Sequence, residues 1–281
     1  IVKRVAKKLN YKVTRIIDLI GKQSSEIKQA VDQDKDIGAG DQGIMFGYAT
    51  RETKSGLPHA FEIANKIIKV LERDVEQNKS TILKGDAKCQ VTEDLKTQRI
   101  HTILVSACHK ENQEHEHVQH YIENLLKLHI KELRNKRINW IINPSGLWTI
   151  GGAKADAGLT GRKIVCDQYG GLIQVGGGAF SGKDPSKVDR SAAYMARKIA
   201  KDLIKKFNKR ECLVQLAYAI GKSQPVSVYV KTENGQDQEL LNYVMQTYDL
   251  TPRKIIEALD LLNVDYEKVA EGCHFYGEKN W

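Results

Sequence analysis

Near the start of the chain Val2, Val5, Ala6 and Leu9 recur at the spacing of one helix face, and RIIDLIG over 15–21 is apolar enough for a short strand. A helix leading straight into a strand reads as the tail of an α/β unit. From 23 to 43 the chain is polar, then acidic, then glycine-rich; nothing there can build a core, so a mobile loop is expected. Apolar periodicity returns in a helix near 59–71, the strand RIHTILVSAC at 99–108 and a helix around 115–133. The strand-like INWIINP at 138–144 breaks at its proline. Past 151 come the glycine-rich GLTGRK and GGGAFSGKD, a long helix from 185 to about 207, strands at 212–220 and 226–232, and a helix at 252–262. Helices and strands interleave throughout, which predicts α/β or α+β layering. The breaks divide the chain into three stretches, 1–37, 38–150 and 151–281.

Composition narrows the class. A chain of 281 residues can support two or three compact units with cores, and 41% hydrophobic with 28% charged residues is ordinary for a globular protein. No apolar run is long enough to cross a bilayer, and IVKRVAKKLN lacks the apolar centre of a signal peptide, so a cytoplasmic protein without membrane partners is expected. The scattered Cys89, Cys108, Cys166, Cys212 and Cys273 form no CxxC pair and read as reduced. The net charge of +9 is spread among acids rather than gathered in a stripe with aromatics, which argues against nucleic acid; it leaves attraction of a small polyanion open. Only Lys205, Lys206, Lys209 and Arg210 cluster, as a solvated helix end would.

Chemistry concentrates in 176–201. Gly177 to Lys183 meets the first positions of G-x-x-x-x-G-K, but Asp184 stands where a P-loop needs Ser or Thr for magnesium, and the preceding LIQV makes a weak strand. An orthodox P-loop is therefore set aside. The physics of a phosphate site remains: Asp184 as helix cap, Pro185 in the first helical position, Lys183 and Lys187 beside the positive helix end, and Asp189 as a carboxylate to support a phosphate-bound cation. The plainer alternative is a glycine-rich turn before a capped surface helix with Val188, Ala192, Met195, Ile199 and Leu203 as its packing stripe. In EHEHVQH, His115, His117 and His120 lie close, but no fourth ligand or carboxylate base is evident, and an exposed polar helix is the better reading.

GGGAFSGKDPSKVDRSAAY closely resembles a signature of the S-adenosylmethionine synthetase family, and GAGDQGIMFGYAT at 38–50 resembles its other hallmark. IGKQSSEI, GDAKCQVT, GLTGRKIVCDQYGG and LAYAIG are similar to further family segments in the same order, from Ile20 to the HFYGEKNW terminus. The resemblance implies that fold: pseudo-repeated α/β units with helices packed on mixed sheets. Here 1–37 would be the end of an N-terminal domain plus a gating loop, 38–150 a central domain and 151–281 a C-terminal domain.

The resemblance also implies synthesis of S-adenosylmethionine from ATP and L-methionine: the sulfur attacks the ribose C5′, and the displaced triphosphate is hydrolysed to phosphate and pyrophosphate. Lys88, Arg162, Lys163 and Lys183 match phosphate contacts, and Ala179 lines the ATP site. Asp86 matches a nucleotide contact, and Asp156 a carboxylate between ATP and methionine. Gln23 and Lys187 match methionine contacts, Asp41 an active-site carboxylate. Paired magnesium ions and potassium are implied as cofactors, and a homodimer, dimer of dimers or hetero-oligomer with a full-length subunit as the assembly. After NPSG the family usually has Arg-Phe, the Phe stacking on adenine; this chain has Leu147-Trp148, and Trp148 can stack in its place. The family's GHPDK motif is not found, so the front of the first domain is expected to be missing. A catalytically impaired or regulatory family member that binds nucleotide or a partner is the competing expectation.

Overall fold

The alternation of elements resolves into two sheets, each covered by helices. The computed structural model describes residues 2–8, 12–21, 38–78, 80–135, 137–277, 279 and 281. The expected contacts of Gln23 and most of the loop expected at 23–43 lie outside these residues; at its described end Gly38 and Ala39 are buried rather than loop-like.

Helix α1 (Val2–Lys8) is held to the far end of the chain by Arg4, which donates to Glu267 at 2.8 Å. The strand expected at 15–21 does not form: the described residues 12–21 have no regular structure, and Ile17, Leu19 and Ile20 are exposed. An apolar run becomes a strand only with a neighbour to take its backbone hydrogen bonds, and this one pairs with no described strand.

The first sheet runs β1-β5-β6-β7, all antiparallel, with β1 (Gly43–Thr50), β5 (Glu211–Tyr218), β6 (Ser227–Thr232) and β7 (Gly235–Gln236). Its β1–β5 register, Gly43 opposite Tyr218 through Thr50 opposite Glu211, joins a strand from 38–150 to one from 151–281. Gly38 and Ala39 extend this pairing, with Ala39 N–H donating to Lys222 O and Gly221 N–H to Ala39 O. Helix α5 (Val188–Lys206) lies on this sheet, and its stripe of Val188, Ala192, Met195, Ile199 and Leu203 is fully packed.

The second sheet is mixed. Strand β3 (Arg99–His109) pairs antiparallel with β2 (Leu83–Asp94) and parallel with β4 (Asn139–Ile142). The parallel pair requires a crossover. Helix α3 (His115–His129) and a short 3₁₀ turn, Lys131–Arg134, supply it. Helix α2 (His59–Gln77) buries Ile63, Ile67, Val70 and Leu71 at helical spacing, in one core with Val118, Ile122 and Leu126 of α3. Glu93 of β2 accepts from the Ala60 amide at 3.1 Å and sits 2.6 Å from His59, placing a carboxylate at the positive start of α2.

Four shorter helices and a 3₁₀ turn at Gly152–Lys154 complete the described elements, the helices being α4 (Ile164–Asp167), α6 (Gln238–Thr247), α7 (Pro252–Ala258) and α8 (Tyr266–Val269). Asp237 caps α6 by accepting from Leu240 N–H at 3.0 Å, and Pro252 opens α7. The fold is thus mixed α/β, as the alternation requires. No described helix is long and apolar enough to cross a membrane.

Candidate active site

The two glycine-rich hallmarks meet at the edge of the first sheet. A Cβ built on Gly176 would lie 1.7 Å from the Ile44 carbonyl oxygen, so only glycine lets the GGG turn seat on β1. Behind it, Gly43 and Gly177 both lie against Asp189 at the start of α5. Lys183 closes the turn: its Nζ donates to Gly177 O at 2.7 Å and to Asp189 Oδ2 at 2.6 Å. The Asp189 side chain is only 8% exposed and that of Lys183 30%, so the ammonium pairs with a buried carboxylate while its side chain stays partly exposed.

The helix start differs from the expectation. Asp184 and Pro185 are not its cap and first residue: α5 begins at Val188, with Lys187 as N-cap and no side-chain cap bond. Asp184 instead shapes a turn one step earlier, accepting from the Ser186 amide at 2.8 Å and hydroxyl at 2.5 Å, while the Lys187 amide donates to Asp184 O. A short polar side chain followed two residues on by a free amide favours this local turn over a helical cap. Burial of Asp184 opposes its charge, but the Ser186 bonds outweigh it and hold the carboxyl below the ordinary range. Lys187 is half-buried beside Lys183's turn.

The second basic segment reaches the same place. A Cβ on Gly161 would lie 2.6 Å from Ala179 Cβ, so GLTGRK packs directly on the phosphate-loop candidate, with Arg162 and Lys163 next in the chain. Both cations are exposed, as is Asp156, whose amide donates to Gly152 O. Asp41 is exposed two residues before Gly43 and accepts from the Gln42 amide.

A further group forms at the end of the second sheet. Asp86 Oδ2 accepts from Gly152 N–H at 2.6 Å, and Lys84 donates to Thr149 O at 2.6 Å, so β2 holds the segment that carries Trp148. Trp148 is half-buried, not a core residue. Its indole N–H donates to Ile150 O at 2.7 Å, and its backbone is clamped to buried His109 by the amide to Nε2 at 3.0 Å and the carbonyl to His109 N–H at 2.9 Å. Leu147 and Lys88 are exposed. His115 bonds to Asn143 O at 2.9 Å while His117 and His120 face solvent, in keeping with a structural helix.

Among the described residues no group of three or more His, Cys, Asp or Glu comes together as a metal site. Asp189, expected to support magnesium, pairs with Lys183. These residues do not by themselves fit a magnesium or potassium ion, and no step below is routed through one.

Sequence reasoning missed the residues that brace the loop: Arg190, Tyr194 and His274. The HFYGEKNW segment was the available signal, since a tail carrying three aromatic rings and a histidine has much to bury.

With glycine turns, basic side chains and a half-buried aromatic at its sheet edges, this is a mixed α/β protein whose surface carries the features that suit phosphorylated ligands. The comparisons make the class particular. Residues 36–148 match the family model described as S-adenosylmethionine synthetase, central domain, and 150–281 the one described as its C-terminal domain. A relative from Helicobacter hepaticus, named S-adenosylmethionine synthase, is 44% identical over 280 residues, covering 96% of this chain and 72% of its own. One from Helicobacter pylori strain J99 with the same name is 44% identical over 275 residues, covering 95% and 71%. The chain belongs to the S-adenosylmethionine synthetase family.

Proposed function

We infer that this chain binds ATP and L-methionine and forms S-adenosylmethionine, acting as a methionine adenosyltransferase. The methionine sulfur supplies an electron pair to the ribose C5′, the S–C5′ bond forms, and the C5′–O bond breaks with its pair leaving on triphosphate. The product is a sulfonium. Sulfur is already a nucleophile, so the protein's task is alignment and stabilisation of charge on the leaving oxygens.

The observation that carries the reading is the packing of GLTGRK on GGGAFSGKD, joined through Gly161 and Ala179. Arg162 and Lys163 follow Gly161 in the chain, and with Lys183 they take the triphosphate. Arg162 grips phosphate oxygens through its planar fork, and Lys163, Lys183 and Lys88 act as point charges. Asp86 and Trp148 take the nucleoside, with the indole stacking on the base. Asp156 lies between the substrates, Lys187 and Gln23 take the methionine, and Asp41 completes the carboxylates. Subsequent hydrolysis of triphosphate gives phosphate and pyrophosphate.

On the family's pattern the site is completed in the assembly, by a second copy or a full-length subunit. Magnesium and potassium enter on the family's pattern, as do a cytoplasmic setting and the absence of nucleic-acid partners. The test is incubation of the purified chain with ATP, methionine, magnesium and potassium. S-adenosylmethionine is the expected product; ATP binding without product would sink the enzyme reading for this chain alone and favour a nucleotide-binding regulatory subunit.

A further inference from the structure

The C-terminal tail reaches back to the phosphate-loop candidate through His274, which is 1% exposed. Its Nδ1 lies 2.7 Å from the Tyr194 hydroxyl and its Nε2 3.3 Å from Ser181 Oγ. Tyr194 projects from α5, and its hydroxyl accepts from Arg190 Nε at 2.9 Å. Proton bookkeeping fixes the direction of this chain. Arginine only donates, so the Tyr194 oxygen accepts from it and directs its own proton to Nδ1. Nε2 then carries the ring proton and donates to Ser181, giving Arg190 → Tyr194 → His274 → Ser181, with the tautomer assigned by the network. Burial, with Arg190 and Lys279 nearby, lowers the imidazole to about 3, in keeping with a neutral ring.

The backbone of His274 is equally constrained. Its amide donates to Asp167 O at 2.9 Å, and its carbonyl accepts from Lys279 Nζ at 2.9 Å and Trp281 Nε1 at 3.0 Å. Phe180 is buried against the rings of His274, Tyr194 and Phe275, at centroid separations of 5.2, 5.4 and 5.8 Å. Arg190 Nη1 donates to Lys183 O at 2.7 Å. Residues 180–183 are thus held at the Phe180 ring, the Ser181 hydroxyl and the Lys183 carbonyl.

We propose that His274 is a positioning residue for the phosphate loop: through Ser181 it holds 180–183 in the conformation that presents Lys183 to a polyphosphate. The proposal rests on the reading of this loop as the triphosphate site. A loop grip set by packed groups of this kind makes binding sensitive to small displacements.

The test uses the full chain, with inorganic tripolyphosphate as the calorimetric probe. Ser181→Ala, a change at a half-buried loop position that leaves the core untouched, is expected to weaken tripolyphosphate binding by up to about tenfold, the worth of one hydrogen bond. His274→Phe, which keeps a ring in the aromatic cluster, should lose a similar factor. The double variant should lose no more than the weaker-binding single, because both remove the same bond. His274→Gln, whose amide still donates, should recover part of the loss. Unchanged affinity in Ser181→Ala, or additive losses in the double variant, would overturn the positioning role while leaving the phosphate reading in place. Failure of the unaltered chain to bind tripolyphosphate would overturn both.

Discussion

At the scale of single residues, Lys183 joins stability to chemistry. Lys183→Ala removes a cation from the developing triphosphate charge and should lower kcat by roughly 10²-fold, by analogy with deletion of one preorganised donor. A normal turnover number in a steady-state assay would contradict the assignment. The same change leaves Asp189 buried without its partner, so thermal melts should also show a loss of about 1–3 kcal/mol. Trp148→Ala should weaken ATP binding by about 1–3 kcal/mol, the worth of one stacked base, whereas Trp148→Phe should retain most of it. Unchanged ATP affinity in a calorimetric titration would remove the base from that ring. Residue identity at these positions was readable from motif spacing. What the residues touch was not: the Lys183–Asp189 contact and the clamp of His109 on Trp148 depend on chain segments that only folding brings together.

Among the elements, the seating of the GGG turn on β1 is the most exacting contact at the site. Gly176→Ala would push a methyl into the Ile44 carbonyl, and overpacking of this kind costs about 1–3 kcal/mol or more. The expected result is a lowered melting temperature together with weakened tripolyphosphate binding; a melt indistinguishable from the unaltered chain would show that the turn can move away from β1. Legibility varied with how each element earns its stability. Helix α5 and strand β3 carry strong apolar patterns and were found with small errors at their ends. Strand β2, LKGDAKCQVTED, is mostly polar and gave no signal, because it is held by pairing with β3 rather than by its own apolar face. Helix α6 went unread, and RIIDLIG had the composition of a strand without a described partner.

Across the whole molecule, the His274 network ties the tail to the core and makes stability depend on acid. The folded ring takes a proton only near about 3, against 6.5 when unperturbed. Between those values the unfolded chain binds more protons, so the contribution is complete above pH 6.5 and is lost as pH falls towards 3. Thermal melts should therefore decline on acidification from neutrality before the carboxylates titrate, and His274→Phe should flatten that decline. An unchanged slope in the variant would assign the acid loss to other groups.

The amino-acid sequence by itself determined the interleaving of helices and strands, the packing stripe of α5 and the order of the glycine-rich and basic motifs, since each is a matter of local spacing. Only the tertiary structure decided that β1 pairs with β5, that GLTGRK lies on GGGAFSGKD, that Asp189 pairs with Lys183, and that a tail histidine reaches Ser181. Those outcomes rest on burial and hydrogen bonding between segments far apart in the chain, and neither periodicity nor spacing carries that information.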